Sequence, residues 1–193
     1  MDKKLCKLLI SLCLMISVEV ANALEFKDVP VAGKVIIGGE KNELKLNGVG
    51  MRTKFFFDIY VGALYLKRAE NTSEGVLSQN APKRLAMHFV YDEVPAEKLV
   101  AGWNEGFESN LSDEQLVSLA EQINTFNAMF ETVRAGDEIL LDYLPEQLTR
   151  VTIKGEVKGL IEGKGFNDAL LNIWLGDEPA DEDLKEAMLN TGD

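Results

Sequence analysis

Residues 48–66 constrain the fold more than any other part of this sequence. They are rich in aromatic and β-branched residues, contain no proline and follow a turn signal at Asn47-Gly48, a combination typical of a strand. At about 3.3 Å per residue, a single strand over residues 51–66 would be roughly 50 Å long. The pattern therefore predicts one long strand at the centre of a sheet, bent or bulged near Gly62.

The alternation of side chains along this stretch separates two faces. One face is almost entirely apolar, which predicts that it meets the core: Met51, Thr53, Phe55, Phe57, Ile59, Val61, Ala63 and Tyr65. The other face begins with the cations Arg52 and Lys54 and ends with Leu64 and Leu66. Two interpretations stay open for this second face: it lines a partly hydrated cavity, or it is an ordinary solvated face with Phe56 half exposed.

Residues 1–23 have the organisation of a secretory signal peptide. Lysines precede an apolar run at residues 8–18, and Ala21-Asn22-Ala23 is a small-x-small site that predicts cleavage before Leu24. A retained membrane anchor is the rival interpretation, but the run is shorter than the roughly 20 residues that a span requires, and Glu19 interrupts its end. The sequence therefore predicts a periplasmic protein with a single domain over residues 24–193.

Charge and cysteine content exclude several classes of function. Both cysteines, Cys6 and Cys13, lie in the predicted signal peptide, so the mature chain has no disulfide, thiol catalyst or thiolate metal site. Of 20 basic and 32 acidic residues the signal peptide holds three and two, which leaves 17 and 30 and a net charge of −13. This charge argues against binding to nucleic acid and adsorption to anionic membranes, because both need basic patches.

The remaining sequence predicts strands, helices, strands and helices in that order. Residues 25–33 are expected to form an irregular entry with a turn at Pro30. Strands are predicted at residues 34–37, 43–46, 84–91, 138–143, 147–153 and 156–161, the last three as an antiparallel meander. Helices are predicted after Pro95, after the capping box Ser112-Asp113-Glu114-Gln115, at residues 166–175 and after Asp181, with at most a short one within residues 68–81. This order predicts an α+β fold with helices on one face of an antiparallel sheet.

His88 is the only histidine of the chain, and alternation places it with Ala86 and Val90 on one face of its strand. A lone histidine excludes a metal site built from several histidines. A single axial haem ligand, a general base and a histidine simply packed on the sheet all remain open, and the last is the most common case.

Four segments together resemble the chalcone isomerase-like proteins, specifically their exported bacterial branch. They are residues 48–66, Trp103-Asn104-Glu105-Gly106-Phe107, Gly136-Asp137 and Ile173-Trp174-Leu175-Gly176. The resemblance extends over essentially the whole mature chain. It implies an open-faced β-sandwich, in which a large antiparallel sheet is covered on one face by a layer of helices, with a ligand cleft between the two.

The resemblance also implies where the polar groups of a true isomerase would lie. The arginine that holds the phenolate in the plant enzymes falls near Asn42, which is not basic, so Arg52 is the nearest candidate for an anion-binding arginine. The helix tyrosine of the enzymes becomes Trp103, whereas the asparagine seven residues later is retained as Asn110.

Two further hydroxyl positions of the enzymes fall on apolar residues, near Ile59 on the strand and at about Ile173 on the late helix. Ring closure needs a stabilised phenolate and a proton donor, and isoleucine supplies neither. The chain is therefore expected to be non-catalytic, although an isomerase of the intramolecular lyase type remains an alternative.

The favoured hypothesis is a carrier or sensor of a small lipophilic carboxylate, such as a fatty acid. A charge-assisted contact from arginine contributes roughly 1.5–3 kcal/mol, and apolar walls add about 0.8 kcal/mol per buried methylene. The predicted ligand-binding residues are Arg52, Lys54, Tyr60, Trp103, Phe107 and Asn110. Structural roles stay open for several of them: a salt bridge from Arg52 to Asp58 or a helix glutamate, plain packing of Trp103 and Phe107, and a helix C-cap at Asn110.

A second alternative is a haem or tetrapyrrole binder that uses His88 or Tyr60. Apart from the lipophilic ligand, the sequence predicts no cofactor, no metal, no nucleic-acid partner and no membrane-integrated segment after signal cleavage. It leaves the oligomeric state open.

Overall fold

A computed structural model describes residues 23–39, 41–144, 146 and 148–191. The predicted signal peptide, except for Ala23, lies outside these residues. The strands are β1 (Ala23–Phe26), β2 (Val29–Ala32), β3 (Lys34–Ile36), β4 (Glu43–Lys54), β5 (Phe57–Leu66), β6 (Lys83–Phe89), β7 (Glu93–Val94), β8 (Val133–Arg134), β9 (Glu138–Leu144), β10 (Leu148–Ile153) and β11 (Glu156–Glu162). The helices are α1 (Ser73–Ser78), α2 (Ala96–Asn110), α3 (Asp113–Ser118), α4 (Ala120–Asn127), α5 (Lys164–Leu175) and α6 (Glu182–Leu189).

Seven strands form one antiparallel sheet in the order β11-β10-β9-β6-β5-β4-β3. The helices pack on one face of this sheet, around a core that includes Trp103, Phe107, Phe126, Phe166 and Trp174. Two short ribbons, β1-β2 and β7-β8, complete the fold. The α+β class and the large sheet with a helical layer are therefore confirmed.

The prediction of one long central strand is wrong. Residues 43–66 fold back as a hairpin, in which β4 and β5 pair from Lys45 opposite Leu66 to Lys54 opposite Phe57. The turn at Phe55-Phe56 contains none of the residues that usually mark a hairpin turn, and Phe55 adopts a left-handed conformation with φ 59°. The register shifts lie between Leu46 and Gly48 and between Arg52 and Thr53 rather than near Gly62.

The two faces of this hairpin also differ from the expectation. The helical core packs on the face with Tyr60, Leu64 and Leu66, for which the sequence left open a partly hydrated cavity lining or an ordinary solvated face. The alternate residues Val61, Ala63 and Tyr65 join a second, smaller core on the other side of the sheet, formed with Val31, Ile37, Leu44, Ala86 and Leu144. The β1-β2 hairpin supplies part of this second core, whereas the sequence predicted an irregular entry there.

Helix boundaries follow the sequence signals closely. Pro95 is the N-cap of α2, Ser112 and Gln115 form the predicted capping box of α3, and the Asp181 carboxylate accepts a hydrogen bond from the Leu184 backbone N–H at the start of α6. The second predicted helix is divided, because Leu119 leaves the helical conformation with φ −103° and ψ 4° and separates α3 from α4.

Glycines on β4 and β5 let helix α6 approach the sheet closely. A Cβ added at Gly48 would lie 2.2 Å from the Ala187 backbone oxygen, and one at Gly62 would lie 2.6 Å from Cε of Met188. Gly50 is approached in the same way, by the Ala187 side chain at 2.6 Å. Gly62, which was expected to bend a strand, therefore leaves space for a helix.

Replacing Gly48 by alanine is expected to lower the free energy of unfolding by about 1–3 kcal/mol, because the new methyl group overlaps backbone atoms of α6. Gly102→Ala is the control: nothing lies within 4 Å of its added Cβ on α2, so it should stabilise by about 0.5–1 kcal/mol. Urea denaturation measures both changes. Equal stability of the two variants would contradict the close approach of α6.

A buried ionic cluster lies on the sheet face away from the helices. Asp142 of β9 is fully buried and stands between Arg84 of β6 and Arg150 of β10 in the strand register. Its carboxylate accepts hydrogen bonds from Arg84 at 2.5 and 2.9 Å and from Arg150 at 2.6 Å. The cluster ties three neighbouring strands together.

Candidate functional site

A cavity of about 510 Å³ lies between the turn end of the β4–β5 hairpin and the helical layer. Its apolar wall consists of Phe55, Ile59, Phe89, Val94, Pro95, Leu99, Ala101, Gly102, Trp103, Ile173 and Ala180. Its polar lining residues are Arg52, Lys54, Tyr60, Tyr91, Glu93, Lys98 and Glu105. Apolar walls with a few polar groups are typical of a small-molecule site.

The hairpin register places Arg52 on the cavity wall. Arg52 is directly opposite Tyr60 across β4 and β5, and its guanidinium carbon lies 5.9 Å from the centre of the Tyr60 ring. Asp58, a salt-bridge partner considered from the sequence, instead pairs with Thr53 Oγ1 at 2.9 Å and with Lys27 at 3.5 Å. Within the described part of the chain Arg52 forms no salt bridge, so its guanidinium is available to a ligand.

The charge around the cavity is opposite in sign to that of the whole chain. The formal net charge of the chain is −12, yet three cations, Arg52, Lys54 and Lys98, and two carboxylates, Glu93 and Glu105, line the cavity. Glu93 is already paired with Arg134. The local balance therefore favours an anionic group on a ligand.

Trp103 of α2 presents an unpaired donor. The side chain is 5% exposed, and its ring packs against Trp174 at 5.4 Å and Phe130 at 5.5 Å between centroids. Its indole Nε1 is buried and has no hydrogen-bond partner among the described residues. A buried unpaired donor costs about 1–3 kcal/mol, a cost that the packing of the ring in this aromatic cluster must offset.

Tyr60 supplies a neutral hydroxyl to the same cavity. The indole N–H of Trp174 donates a hydrogen bond of 2.7 Å to the Tyr60 hydroxyl oxygen, which leaves the hydroxyl proton free to be donated to a ligand. Burial raises the pKa of Tyr60 to about 12, although the charge of Arg52 opposes this shift. Tyr60 therefore stays protonated near neutral pH.

Tyr60→Phe is expected to lower the free energy of unfolding by about 1–2 kcal/mol, because it leaves the Trp174 N–H buried without an acceptor. Between pH 10 and 12 native Tyr60 keeps a proton that the unfolded chain loses, so stability falls as the pH rises through this window. The variant should show a shallower fall, with the remainder due to Tyr65, whose pKa is also about 12, and to Tyr143, whose pKa is raised by burial. Urea denaturation at several alkaline pH values measures how the free energy of unfolding depends on pH, with Tyr91→Phe as control. The same slope of this free energy against pH in wild type and Tyr60→Phe would contradict the prediction.

Four of the six predicted ligand-binding residues, Arg52, Lys54, Tyr60 and Trp103, line this cavity, and Phe107 and Asn110 do not. Phe107 is 1% exposed and packs in the core against Phe126 and Phe166, each 6.2 Å away between ring centroids.

Asn110 holds the segment after α5 against the end of α2. Its amide nitrogen donates to the Gly106 and Glu178 carbonyl oxygens at 2.9 and 2.8 Å, and its carbonyl oxygen accepts from the Glu178 N–H at 3.0 Å. It shares a stripe of α2 with Trp103, but at 1.5 Å per residue seven residues carry it about 10 Å along the helix. Asn110, and Phe107 between Trp103 and Asn110, therefore lie too far along α2 to line the cavity, which corrects the prediction that they share a cleft with Trp103.

Several lining residues were not predicted as ligand contacts. Lys98 and Leu99 occupy the first turns of α2 and Tyr91 follows β6. Leu99 and Trp103 are four residues apart on a helix, so the sequence already placed Leu99 on the same face as Trp103. Lys98 had no such signal, because it lies on the edge of that face.

Ile59 and Ile173 both line the cavity. These are the positions where the resemblance to the isomerases places hydroxyl groups, so at both of them the wall is apolar. Asn42 lies in the turn before β4, outside the cavity lining.

His88 lies on the opposite face of the sheet from Trp103. It is beside Val61 in the strand register, and its Nδ1 is 3.2 Å from the Glu138 carboxylate. Burial lowers the pKa of His88. The two residues considered as haem ligands, His88 and Tyr60, thus lie on opposite faces of the sheet.

Two further features of the described residues concern metal binding and membrane insertion. Among residues 23–191, apart from positions 40, 145 and 147, no group of three or more His, Cys, Asp or Glu side chains is arranged to hold a metal ion. None of the helices in this part of the chain is long and apolar enough to cross a membrane.

The sheet, its helical layer and the apolar cavity with arginine on its wall define an α+β sandwich with a cavity between sheet and helices. The sequence profile described as chalcone isomerase-like matches residues 23–190. The protein therefore belongs to the chalcone isomerase-like family.

The fold is shared with a solved plant protein. The crystal structure of a fatty-acid binding protein from Arabidopsis thaliana has a TM-score of 0.56 and 15% sequence identity, and the match covers 81% of this chain and 95% of that one. At this identity the similarity establishes the fold alone. A comparison with curated protein sequences gives no match.

Proposed function

We propose that the protein binds a small lipophilic carboxylate, such as a fatty acid, in the Arg52–Trp103 cavity and catalyses no reaction on it. The observation that carries the proposal is a guanidinium, Arg52, without a salt bridge among the described residues, on the wall of an apolar cavity that Trp103 also lines. A carboxylate accepts hydrogen bonds from Arg52, and the alkyl chain contacts the apolar wall. The shared fold with a protein named for fatty-acid binding supports this choice of ligand.

The alkyl-chain length of the ligand and its headgroup can be tested separately by calorimetry on delipidated protein. Each added methylene contributes about 0.8 kcal/mol while the cavity still has space, so affinity should increase from octanoate to laurate. Palmitate should bind more tightly than 1-hexadecanol, because only the acid pairs with Arg52. Absence of heat with every acid, or equal affinity for the acid and the alcohol, would end the proposal.

Absence of isomerase activity is part of the same proposal. Ile59 and Ile173 contribute only methyl and methylene groups to the wall, and neither can hold a phenolate or transfer a proton. Chalcone cyclisation with the purified protein is expected to be no faster than in buffer. A rate above that of buffer which Tyr60→Phe abolishes would instead support the isomerase alternative, with Tyr60 as proton donor.

Export to the periplasm is proposed from the sequence of residues 1–23. Strand β1 is Ala23–Phe26, so cleavage before Leu24 would keep three of its four residues in the mature protein. N-terminal sequencing of protein from a periplasmic extract should begin at Leu24. A mature protein that begins at Met1 would exclude cleavage.

A further inference from the structure

Three consecutive phenylalanines form the exposed tip of the β4–β5 hairpin. Phe55 is 84% exposed, Phe56 96% and Phe57 55%. Phe57 contacts the Tyr91 ring at 5.6 Å, whereas Phe55 adopts a left-handed conformation that bulky residues rarely take. Folding gives no reason for these aromatic side chains to occupy a turn in water, and contiguous exposed apolar groups mark interaction surfaces.

The tip adjoins the mouth of the cavity. Phe55 lies in the turn and the exposed Lys54 ends β4, and both also line the cavity. A surface that covers the tip would therefore also face the opening through which a ligand enters.

The shape of the tip favours a lipid surface over a second protein. Three phenylalanines bury roughly 450–750 Å², less than the roughly 800 Å² per partner of a standard protein interface. A narrow convex turn reaches between lipid headgroups without a complementary concave partner. Phenylalanine is among the residues with which interfacial elements insert into the headgroup–acyl boundary, and the adjacent Lys54 can pair with lipid phosphates.

We infer that the Phe55-Phe56-Phe57 tip inserts into the surface of a lipid bilayer and places the cavity mouth against it. A lipophilic ligand then passes between bilayer and cavity without crossing bulk water; only this passage rests on the proposed function. The overall negative charge of the chain means that insertion depends on the aromatic side chains rather than on anionic lipid.

Vesicle flotation tests the insertion with delipidated full-length mature protein. The wild-type protein should float with phosphatidylcholine vesicles, and adding phosphatidylglycerol should not strengthen the binding. Phe56→Ser should reduce the partition coefficient about tenfold or more. Val117→Ser is the matched control, because Val117 is 79% exposed on α3, and it should float like wild type.

The inference would be overturned by no flotation of the wild-type protein, or by equal flotation of wild type and Phe56→Ser. A wild-type dimer that becomes monomeric in Phe56→Ser, measured by analytical ultracentrifugation, would assign the tip to a second copy of the chain and also overturn it. Phe56 does not line the cavity, so calorimetry of Phe56→Ser with laurate should match wild type. Failure of the ligand proposal would appear in that titration, and failure of insertion would appear in flotation.

Discussion

Replacing Arg52 by alanine is expected to weaken the binding of laurate by about 30- to 150-fold. The loss corresponds to about 2–3 kcal/mol for a charge-assisted contact to a carboxylate beside an apolar wall. The contact is available because Arg52 packs over Tyr60 and has no salt bridge among the described residues. Calorimetric titration of the delipidated protein measures the change, and the free energy of unfolding should change little, since no described ion pair is removed.

Arg68→Ala is the matched control for this prediction. It removes the same charge from an exposed position after β5 that does not line the cavity, so it should bind laurate like wild type. A similar loss in both variants would mean that overall charge, and not a specific contact, governs binding. An unchanged affinity in Arg52→Ala would show that the guanidinium does not contact the ligand.

Asp142→Asn should lower the free energy of unfolding by about 3–5 kcal/mol. Asp142 is fully buried between two guanidiniums, and removing its charge leaves Arg84, whose side chain is 14% exposed, without a counterion. Breaking a buried ion pair by removing one partner is strongly destabilising for this reason. Urea denaturation with a common slope for both proteins measures the effect.

An exposed pair on the same sheet provides the comparison. Lys34 and Glu43 lie 3.0 Å apart on β3 and β4, and both side chains are about half exposed. Glu43→Gln should therefore cost no more than about 1 kcal/mol. If Asp142→Asn cost as little as Glu43→Gln, the cluster across β6, β9 and β10 would not hold the sheet together.

Elements with local signals could be predicted from the sequence, and those stabilised by tertiary contacts could not. The Ser112–Gln115 capping box and the Asp181 N-cap satisfy backbone donors within their own helices, so their sequence pattern is sufficient. The turns at Lys27-Asp28 and Phe55-Phe56 contain non-glycine residues at positive φ. Phe55-Phe56 carries no turn signal and Lys27-Asp28 only a weak one, because the pairing of the flanking strands imposes both turns.

The same distinction applies to the site. Arg52 and Trp103 were predicted to share a cleft, and the structure places both on one cavity wall; Arg52 stands out as a cation in an aromatic stretch. Phe107 was assigned to the same cleft because helical periodicity gives the face of a residue but not its depth along the helix. The position of α2 against the hairpin, which decides that depth, is a tertiary property.

The central claim is that a lipophilic carboxylate occupies the cavity beside Trp103, and the indole N–H signals of the protein test it most directly. The chain has two tryptophans; Trp174 already donates to Tyr60, whereas Trp103 has no partner in the described structure. In a nitrogen–proton correlation spectrum, assigned with Trp103→Phe, laurate should move the Trp103 signal strongly and saturably, and Trp174 much less. A Trp103 signal that stays in place while laurate is added in excess would contradict the account.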